Sequence, residues 1–409
     1  MRLNHLSLTD FRNYSRLDLR APAGPILLVG GNAQGKTSLL EAVYYLATFV
    51  SFHASHDREL VNLLAARQSL AVGRIVADFQ GQSGSHTLEV RLILESSGGA
   101  VPRLRKETLL DNVKRRAGEI VGVFKAVLFL PQMLSVVEGA PEERRRYLNL
   151  LLAQVYPWYA QALTEYSRYI SQRNALLKQL AERGGDSNQL TYWDERLAKV
   201  GGQLIYTRIQ AIRELEQIAV RIHEELTRNQ ELLLLDYQPS FDPLPAHPHE
   251  QMQLPLETPV DRSGITLEKI QQGYLNRLNR LRRSEIARGT TTVGPHRDEL
   301  RFRGNGVDLG TYGSRGQART VMLSMKLAEV QWIRQKTGEW PVLLLDEVLA
   351  ELDNERRSDL LARLATSEQS LLTTTDLDLF EAPFVEQATV WNIRGGRLVN
   401  EPAPGAAAS

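Results

Sequence analysis

Apolar residues recur at Leu3, Leu6 and Leu8, and again at Leu88, Val90, Leu92 and Leu94, the near period-two pattern of half-buried strands. Glycine- and serine-rich stretches at 81–85 and 96–99 predict the turns of an antiparallel sheet. Two uninterrupted apolar runs stand apart from this texture: Ile26-Leu27-Leu28-Val29 and Val342-Leu343-Leu344-Leu345. The second reads as a buried parallel strand. Leu39, Leu40, Val43, Leu46 and Ala47 repeat at helical spacing and predict a helix opening at Lys36. From 136 to 227 the chain becomes long helices, broken at Gly184-Gly185 and followed by a strand-like run from Leu232 to Leu235. A connector with Pro239, Pro243, Pro245, Pro248, Pro255 and Pro259 leads to a further helix over 267–287. Strand-and-turn texture then returns up to Val399, interrupted by a helical stretch over 321–336. The middle helices lack sustained heptads, which predicts a compact arm rather than a long coiled coil. Internal repeats are not evident.

The chemistry begins where the first apolar run ends. Gly30-Gly31-Asn32-Ala33-Gln34-Gly35-Lys36-Thr37 fits G-x-x-x-x-G-K-S/T, a phosphate-binding loop between a strand and a helix N-terminus. Backbone N–H groups of such a loop cradle phosphates, the lysine reaches the β- and γ-phosphates, and the threonine hydroxyl ligates Mg²⁺. Gly30, Asn32, Ala33, Gln34, Gly35, Lys36, Thr37 and Ser38 are therefore candidate ATP contacts. An ordinary strand-to-helix turn is the bland alternative, and the flanking pattern disfavours it. The second run ends in Asp346-Glu347, where open α/β sheets bind ligands. Asp346 is the expected Mg²⁺ partner of Thr37. Glu347, with Lys36 the other candidate catalytic residue, is expected to orient or deprotonate the attacking water.

A third element narrows the class. Gly313-Ser314-Arg315-Gly316-Gln317 resembles the L-S-G-G-Q signature of the ABC-type ATPases, with Ser314, Gly316 and Gln317 on matching positions. The resemblance implies that Ser314 and Gly316 bind the γ-phosphate of ATP held by another subunit, with Gln317 a further candidate of that site. A plain helix N-cap is the alternative reading. Asp353 matches the aspartate of that family's D-loop. Gln132 is the candidate for the Mg²⁺-coupled glutamine, with an ordinary loop residue as its alternative. The switch histidine of ABC transporters has no counterpart, because Leu371-Leu372-Thr373-Thr374-Thr375-Asp376 offers only threonines.

Composition limits what remains. The chain has 409 residues, 43% of them hydrophobic, with no cysteine and a net charge of +1. Disulfides and thiolate metal sites are excluded, and the eight histidines show no H-E-x-x-H spacing. No apolar run approaches the ~18 residues of a membrane span, so a cytoplasmic protein without membrane partners is expected. The near-zero net charge argues against uniform attraction to polyanions but leaves room for local basic patches.

Several segments outside the ATP motifs resemble the RecF family, bacterial recombination-mediator ATPases related to SMC and Rad50 heads. They include Leu8-Thr9-Asp10-Phe11-Arg12-Asn13-Tyr14 and Glu138-Gly139-Ala140-Pro141-Glu142-Glu143-Arg144-Arg145-Arg146-Tyr147-Leu148. Thr292-Val293-Gly294-Pro295-His296-Arg297-Asp298-Glu299-Leu300 and Ser314-Arg315-Gly316-Gln317-Ala318-Arg319-Thr320 complete the set. The resemblance runs in order over nearly the whole chain. It implies an α/β fold: an ABC-type, SMC/Rad50-like ATPase head with a mostly helical inserted second domain. The expected head is 1–133 plus 288–401, the helical arm 134–287, and 402–409 a disordered tail. Arg12 and Asn13 are implied nucleotide contacts. The chain departs from the family at Asp346-Glu347, where Asp-Asp is frequent, and at His53-Ala54, where Arg-Thr is common and no role is carried over. It also departs around Gln132, where the family often has acidic residues.

The implied function is a weak, DNA-stimulated ATPase of recombinational repair. ATP and Mg²⁺ would drive a homodimer that binds DNA at gaps or junctions and works with RecO and RecR to load RecA. Basic clusters occur at Arg103, Arg105 and Lys106; at Lys114 to Arg116; at Arg144 to Arg146; and at Arg277, Arg280, Arg282 and Arg283. Phosphate contacts need such side chains without a base code. Of these, Arg277, Arg280 and Arg283 are the candidate DNA contacts. The motor subunit of an ABC transporter is the alternative function, since it shares the ATP motifs.

Overall fold

The computed structural model describes residues 1–95, 102–244, 260–262 and 264–399. The expected turn at 96–99, Pro245, Pro248, Pro255 and Pro259 of the connector, and the expected tail at 402–409 lie outside the described residues. In chain order the first strands are β1 (Arg2–Phe11), β2 (Tyr14–Arg20), β3 (Gly24–Val29), β4 (Leu70–Gly81), β5 (Gly84–Glu95), β6 (Arg103–Leu110), β7 (Val113–Arg115) and β8 (Ala126–Phe129). They are followed by β9 (Leu233–Gln238), β10 (Glu299–Gly304), β11 (Val307–Asp308), β12 (Val342–Asp346), β13 (Gln369–Thr374), β14 (Thr389–Arg394) and β15 (Arg397–Leu398). The longer helices are α1 (Lys36–Thr48), α2 (Pro141–Val155), α3 (Tyr159–Arg183), α4 (Thr191–Thr227), α5 (Leu267–Arg288), α6 (Arg315–Thr337) and α7 (Asn354–Ala365). No helix among the described residues is long and apolar enough to cross a membrane.

The chain divides into two compact units, 1–132 with 333–409, and 133–332. The first unit carries two six-stranded sheets. One is antiparallel, in the order β2-β1-β4-β5-β6-β7. A register shift between Leu3 and His5 lets Leu3, Leu6 and Leu8 share one buried face despite their uneven spacing. The other sheet has the order β15-β14-β3-β13-β12-β8, and β14, β3, β13, β12 and β8 run parallel. Ile26, Leu27, Leu28 and Leu343 to Leu345 are buried there, as uninterrupted apolar strands of a parallel sheet require. Because β13 lies between β3 and β12, the loop after β3 and the carboxylates ending β12 emerge from the same edge of this sheet.

The second unit packs α2, α3, α4 and α5 with a small antiparallel sheet, β11-β10-β9. Its second boundary differs from the expected 287/288. The division falls between Trp332 and Ile333, within α6, because β10 pairs with β9 along Glu299 to Gly304. That pairing draws the Gly-Pro-His-Arg-Asp stretch into the unit's interior. Buried Asp298 accepts from Arg208 Nη1 at 2.8 Å and Tyr237 Oη at 2.5 Å, so neither buried charge lacks a partner. His296 Nδ1 meets the Tyr166 hydroxyl at 2.9 Å. A side chain at Gly294 (φ 127) would collide with the Tyr166 and Tyr274 hydroxyls. Arg173, fully buried, is held by Asp194 and Glu285, both at 2.7 Å.

Candidate nucleotide site

The loop after β3 is shaped by close backbone approaches. Gly35, at φ 116, is the N-cap of α1, and a Cβ there would meet Asn13 Nδ2 at 2.7 Å and Tyr14 Oη at 2.9 Å. Only glycine suits both that conformation and that space. The buried Tyr14 hydroxyl donates to Gly35 O at 2.9 Å, tying the loop to β2. Lys36 is 3% exposed. Its Nζ donates to Gly30 O at 2.6 Å and Gly31 O at 3.1 Å, and lies 3.4 Å from Glu347 Oε1. The ammonium thus sits at the centre of the loop, at the positive end of α1.

Thr37 Oγ1 donates to Asp346 Oδ1 at 2.9 Å, with Oδ2 at 3.1 Å. Thr373 Oγ1 donates to the same Oδ1 at 2.8 Å. Burial pushes the Asp346 carboxyl up from its ordinary range, with the two threonine hydroxyls acting the other way. A buried carboxylate resisting its own charge beside a hydroxyl is a donor set that a hard divalent cation completes. Among the described residues no group of three or more His, Asp or Glu could hold a metal alone.

These residues border one cavity of about 1140 Å³. Arg12, Asn13, residues 31–38, Gln132, Asp346 and Glu347 all line it. Arg12 is anchored rather than free: its guanidinium grips Glu41 of α1 at 2.7 and 2.8 Å. Glu41, only 1% exposed, is a residue that sequence reasoning missed, as are Tyr14 and Thr373. Its place among the apolar residues of α1 was the available signal. His53, given no role from sequence, also lines the cavity.

Ser314, Gly316 and Gln317 belong to the second unit and are not among the residues lining this cavity. They open α6 with a reciprocal cap. Ser314 N donates to Gln317 Oε1 at 2.9 Å, and Gln317 N to Ser314 Oγ at 3.2 Å. Gln317 Nε2 donates further to Glu231 at 2.7 Å. Asp353 caps α7, accepting from Arg356 N at 2.9 Å.

Arg277, Arg280 and Arg283 are exposed along α5 with Lys269 and Arg288, a basic strip on one side of the helix. Arg282 is diverted: it pairs with Asp194 at 2.7 Å. The other clusters are likewise partly engaged, Lys106 with Asp57, Lys114 with Glu107 and buried Arg144 with Glu299.

Known proteins resemble this chain over nearly its whole length. The family model described as the RecF/RecN/SMC N terminal domain matches residues 2–390. The chain is 39% identical over 408 residues to the DNA replication and repair protein RecF of Chloroflexus aurantiacus, covering 97% of this chain and 99% of that protein. It is 40% identical over 413 residues to the protein of the same name from Roseiflexus castenholzii, again covering 97% and 99%. Among solved structures it is similar to the recombination mediator protein RecF with ATP, of the RecFOR pathway. The TM-score is 0.81 at 28% identity, over 97% of this chain and 96% of that one. The corresponding RecF-ATPrS structure gives 0.78 at 28% identity, over 97% of both chains. Neither relatives nor structures favour the transporter alternative.

Proposed function

The chain belongs to the RecF family of DNA replication and repair proteins, within the RecF/RecN/SMC group, and on that premise we propose an ATP-driven DNA-binding dimer of recombinational repair. One observation carries the reading: Lys36, Thr37, Asp346 and Glu347 border a single cavity. ATP binds with its phosphates in the loop over α1, where backbone N–H groups and the Lys36 ammonium meet the β- and γ-phosphates. Thr37 and Asp346 would hold Mg²⁺, which when bound would supply positive charge to offset that of the phosphates. Glu347 takes a proton from the water whose oxygen attacks the γ-phosphorus. The bond to the β–γ bridging oxygen breaks, giving ADP and inorganic phosphate. Arg12, Asn13 and Gln132 are assigned to the rim of the nucleotide site.

Ser314, Gly316 and Gln317, with Asp353, act on ATP held by a second copy, so ATP joins two heads and hydrolysis releases them. The basic strip on α5 supplies DNA phosphate contacts through Arg277, Arg280 and Arg283. Binding at gapped or junction DNA, slow DNA-stimulated turnover, and cooperation with RecO and RecR in loading RecA complete the reading. Light scattering after size exclusion, with and without ATP and gapped duplex, tests it. A doubling of mass only with ATP, and co-elution with DNA, is expected. A chain that stays monomeric with ATP, Mg²⁺ and DNA overturns the reading.

A further inference from the structure

Thr373 is the penultimate residue of β13, the buried strand that separates the loop strand from the carboxylate strand. Its register partners are Leu28 in β3 and Asp346 in β12, and it is 5% exposed. A hydroxyl offers one donor and two acceptor positions, and here both kinds are used. The Thr373 proton goes to Asp346 Oδ1 at 2.8 Å, and its oxygen accepts the Glu347 N–H at 2.9 Å. That N–H belongs to a residue at φ 53 and ψ 19, left-handed and not glycine. Such a conformation is costly and persists only where its surroundings enforce it. Two adjacent residues with different proposed tasks are therefore held by one hydroxyl.

We propose that Thr373 is a positioning residue for ATP hydrolysis, fixing the Asp346 carboxylate toward Thr37 and holding the Glu347 backbone in the turn that aims its side chain. The inference rests on the proposed reading of Asp346 as cation ligand and Glu347 as base. The threonine sits one residue before the end of β13, and it acts through the two carboxylate residues rather than on the nucleotide. Its neighbour Thr374 is engaged otherwise, donating to Asp376 O at 2.6 Å to close the following turn.

The test compares Thr373→Val, which keeps the shape and removes the hydroxyl, with Thr373→Ser, which keeps the hydroxyl, and with Glu347→Gln. Turnover is read alongside Mn²⁺ affinity, by electron paramagnetic resonance with a non-hydrolysable ATP analogue. Thr373→Val should lower kcat roughly 10- to 100-fold, the scale of a small misplacement of reacting groups, with KM for ATP nearly unchanged and Mn²⁺ bound more weakly. Thr373→Ser should restore both. If Thr373→Val does not fold, Thr373→Ala removes the same hydroxyl without added bulk and is read the same way. Normal kcat and Mn²⁺ affinity in the Val variant, while Glu347→Gln is slow, overturn the positioning role and leave the proposed function standing. Normal turnover in Glu347→Gln instead removes the base assignment. In that case Mn²⁺ affinity still decides the Asp346 half: weakened binding in Thr373→Val supports it, and unchanged binding overturns it.

Discussion

Thr37 Oγ1 lies 2.9 Å from Asp346 Oδ1 although 309 positions separate the two residues. The parallel order β3-β13-β12 produces this meeting, since Asp346 ends β12 and Thr37 follows the loop after β3, both at one edge of the sheet. The pair predicts how Mg²⁺ dependence should respond. Asp346→Asn keeps the shape but loses the charge that attracts a cation, so half-maximal turnover should need much more Mg²⁺. A titration of ATPase rate against Mg²⁺ checks this. A wild-type curve would assign the cation to other groups.

Lys36 and Glu347 lie 3.4 Å apart, yet their substitutions should separate cleanly. Lys36→Ala removes the point charge at the loop centre and should abolish ATP binding in a calorimetric titration. Glu347→Gln keeps size and binding but weakens the base, so turnover should fall ~10²-fold while ATP stays bound. Phosphate release measured beside nucleotide affinity gives both numbers. Tight ATP binding by Lys36→Ala would contradict the loop assignment.

Much of this site was legible because its signals are local. The apolar run 26–29, the glycines after it and the helical spacing after Lys36 lie within one short window, and α1 opens at Lys36. Asp346 and Glu347 were readable for the same reason. Thr373 was not, because its role comes from its register opposite Asp346. Nothing in a run of threonines marks which hydroxyl faces a carboxylate. Glu41 and Tyr14 were hidden likewise, their meaning set by Arg12 and Gly35 reaching them in space. The boundary at 332 depended on Glu299 pairing with Gln238, which local texture cannot reveal. Arg282 shows the limit for charge clusters: its partner Asp194 lies on another helix.

The α5 strip should respond to salt in a specific way. Each neutralised duplex phosphate contributes about −0.9 to the slope of log affinity against log salt. Replacing Arg280 and Arg283 by Glu should weaken duplex binding and flatten that slope by roughly two such increments. Fluorescence anisotropy from low to moderate salt measures it. An unaltered slope would move the DNA contacts to another basic cluster.

His296 predicts an acid sensitivity independent of ATP. Burial lowers its pKa from 6.5 to about 4, so the folded chain keeps it neutral while the unfolded chain protonates below about 6.5. Between those values the unfolded state binds more protons. Stability should therefore fall with pH across that window, by on the order of 1.4 kcal/mol per pH unit from this group. His296→Gln lacks the titration, so its stability should decline less between pH 6.5 and 4.5 in urea denaturation. Parallel pH profiles for the two proteins would show that His296 titrates normally.

Ser314 gives the sharpest test of the dimer. Its hydroxyl caps α6 from within the second unit, whereas Lys36, Thr37 and Asp346 all lie in the first. If the cap completes a second copy's site, a monomer binds ATP but hydrolyses it poorly, and specific activity rises with protein concentration. Ser314→Arg puts a bulky cation where a small hydroxyl meets phosphate. It should leave ATP affinity nearly intact and abolish ATP-dependent dimerisation. Mixing Ser314→Arg with Lys36→Ala, each inactive alone, creates one composite site with the loop of the first chain and the signature of the second. Partial turnover should return at that site. Should hydrolysis require both sites to be filled, the mixture would stay inactive but still yield ATP-dependent mixed dimers on cross-linking. A Ser314→Arg protein that dimerises with ATP and turns over at the wild-type rate would rule out the shared-site arrangement.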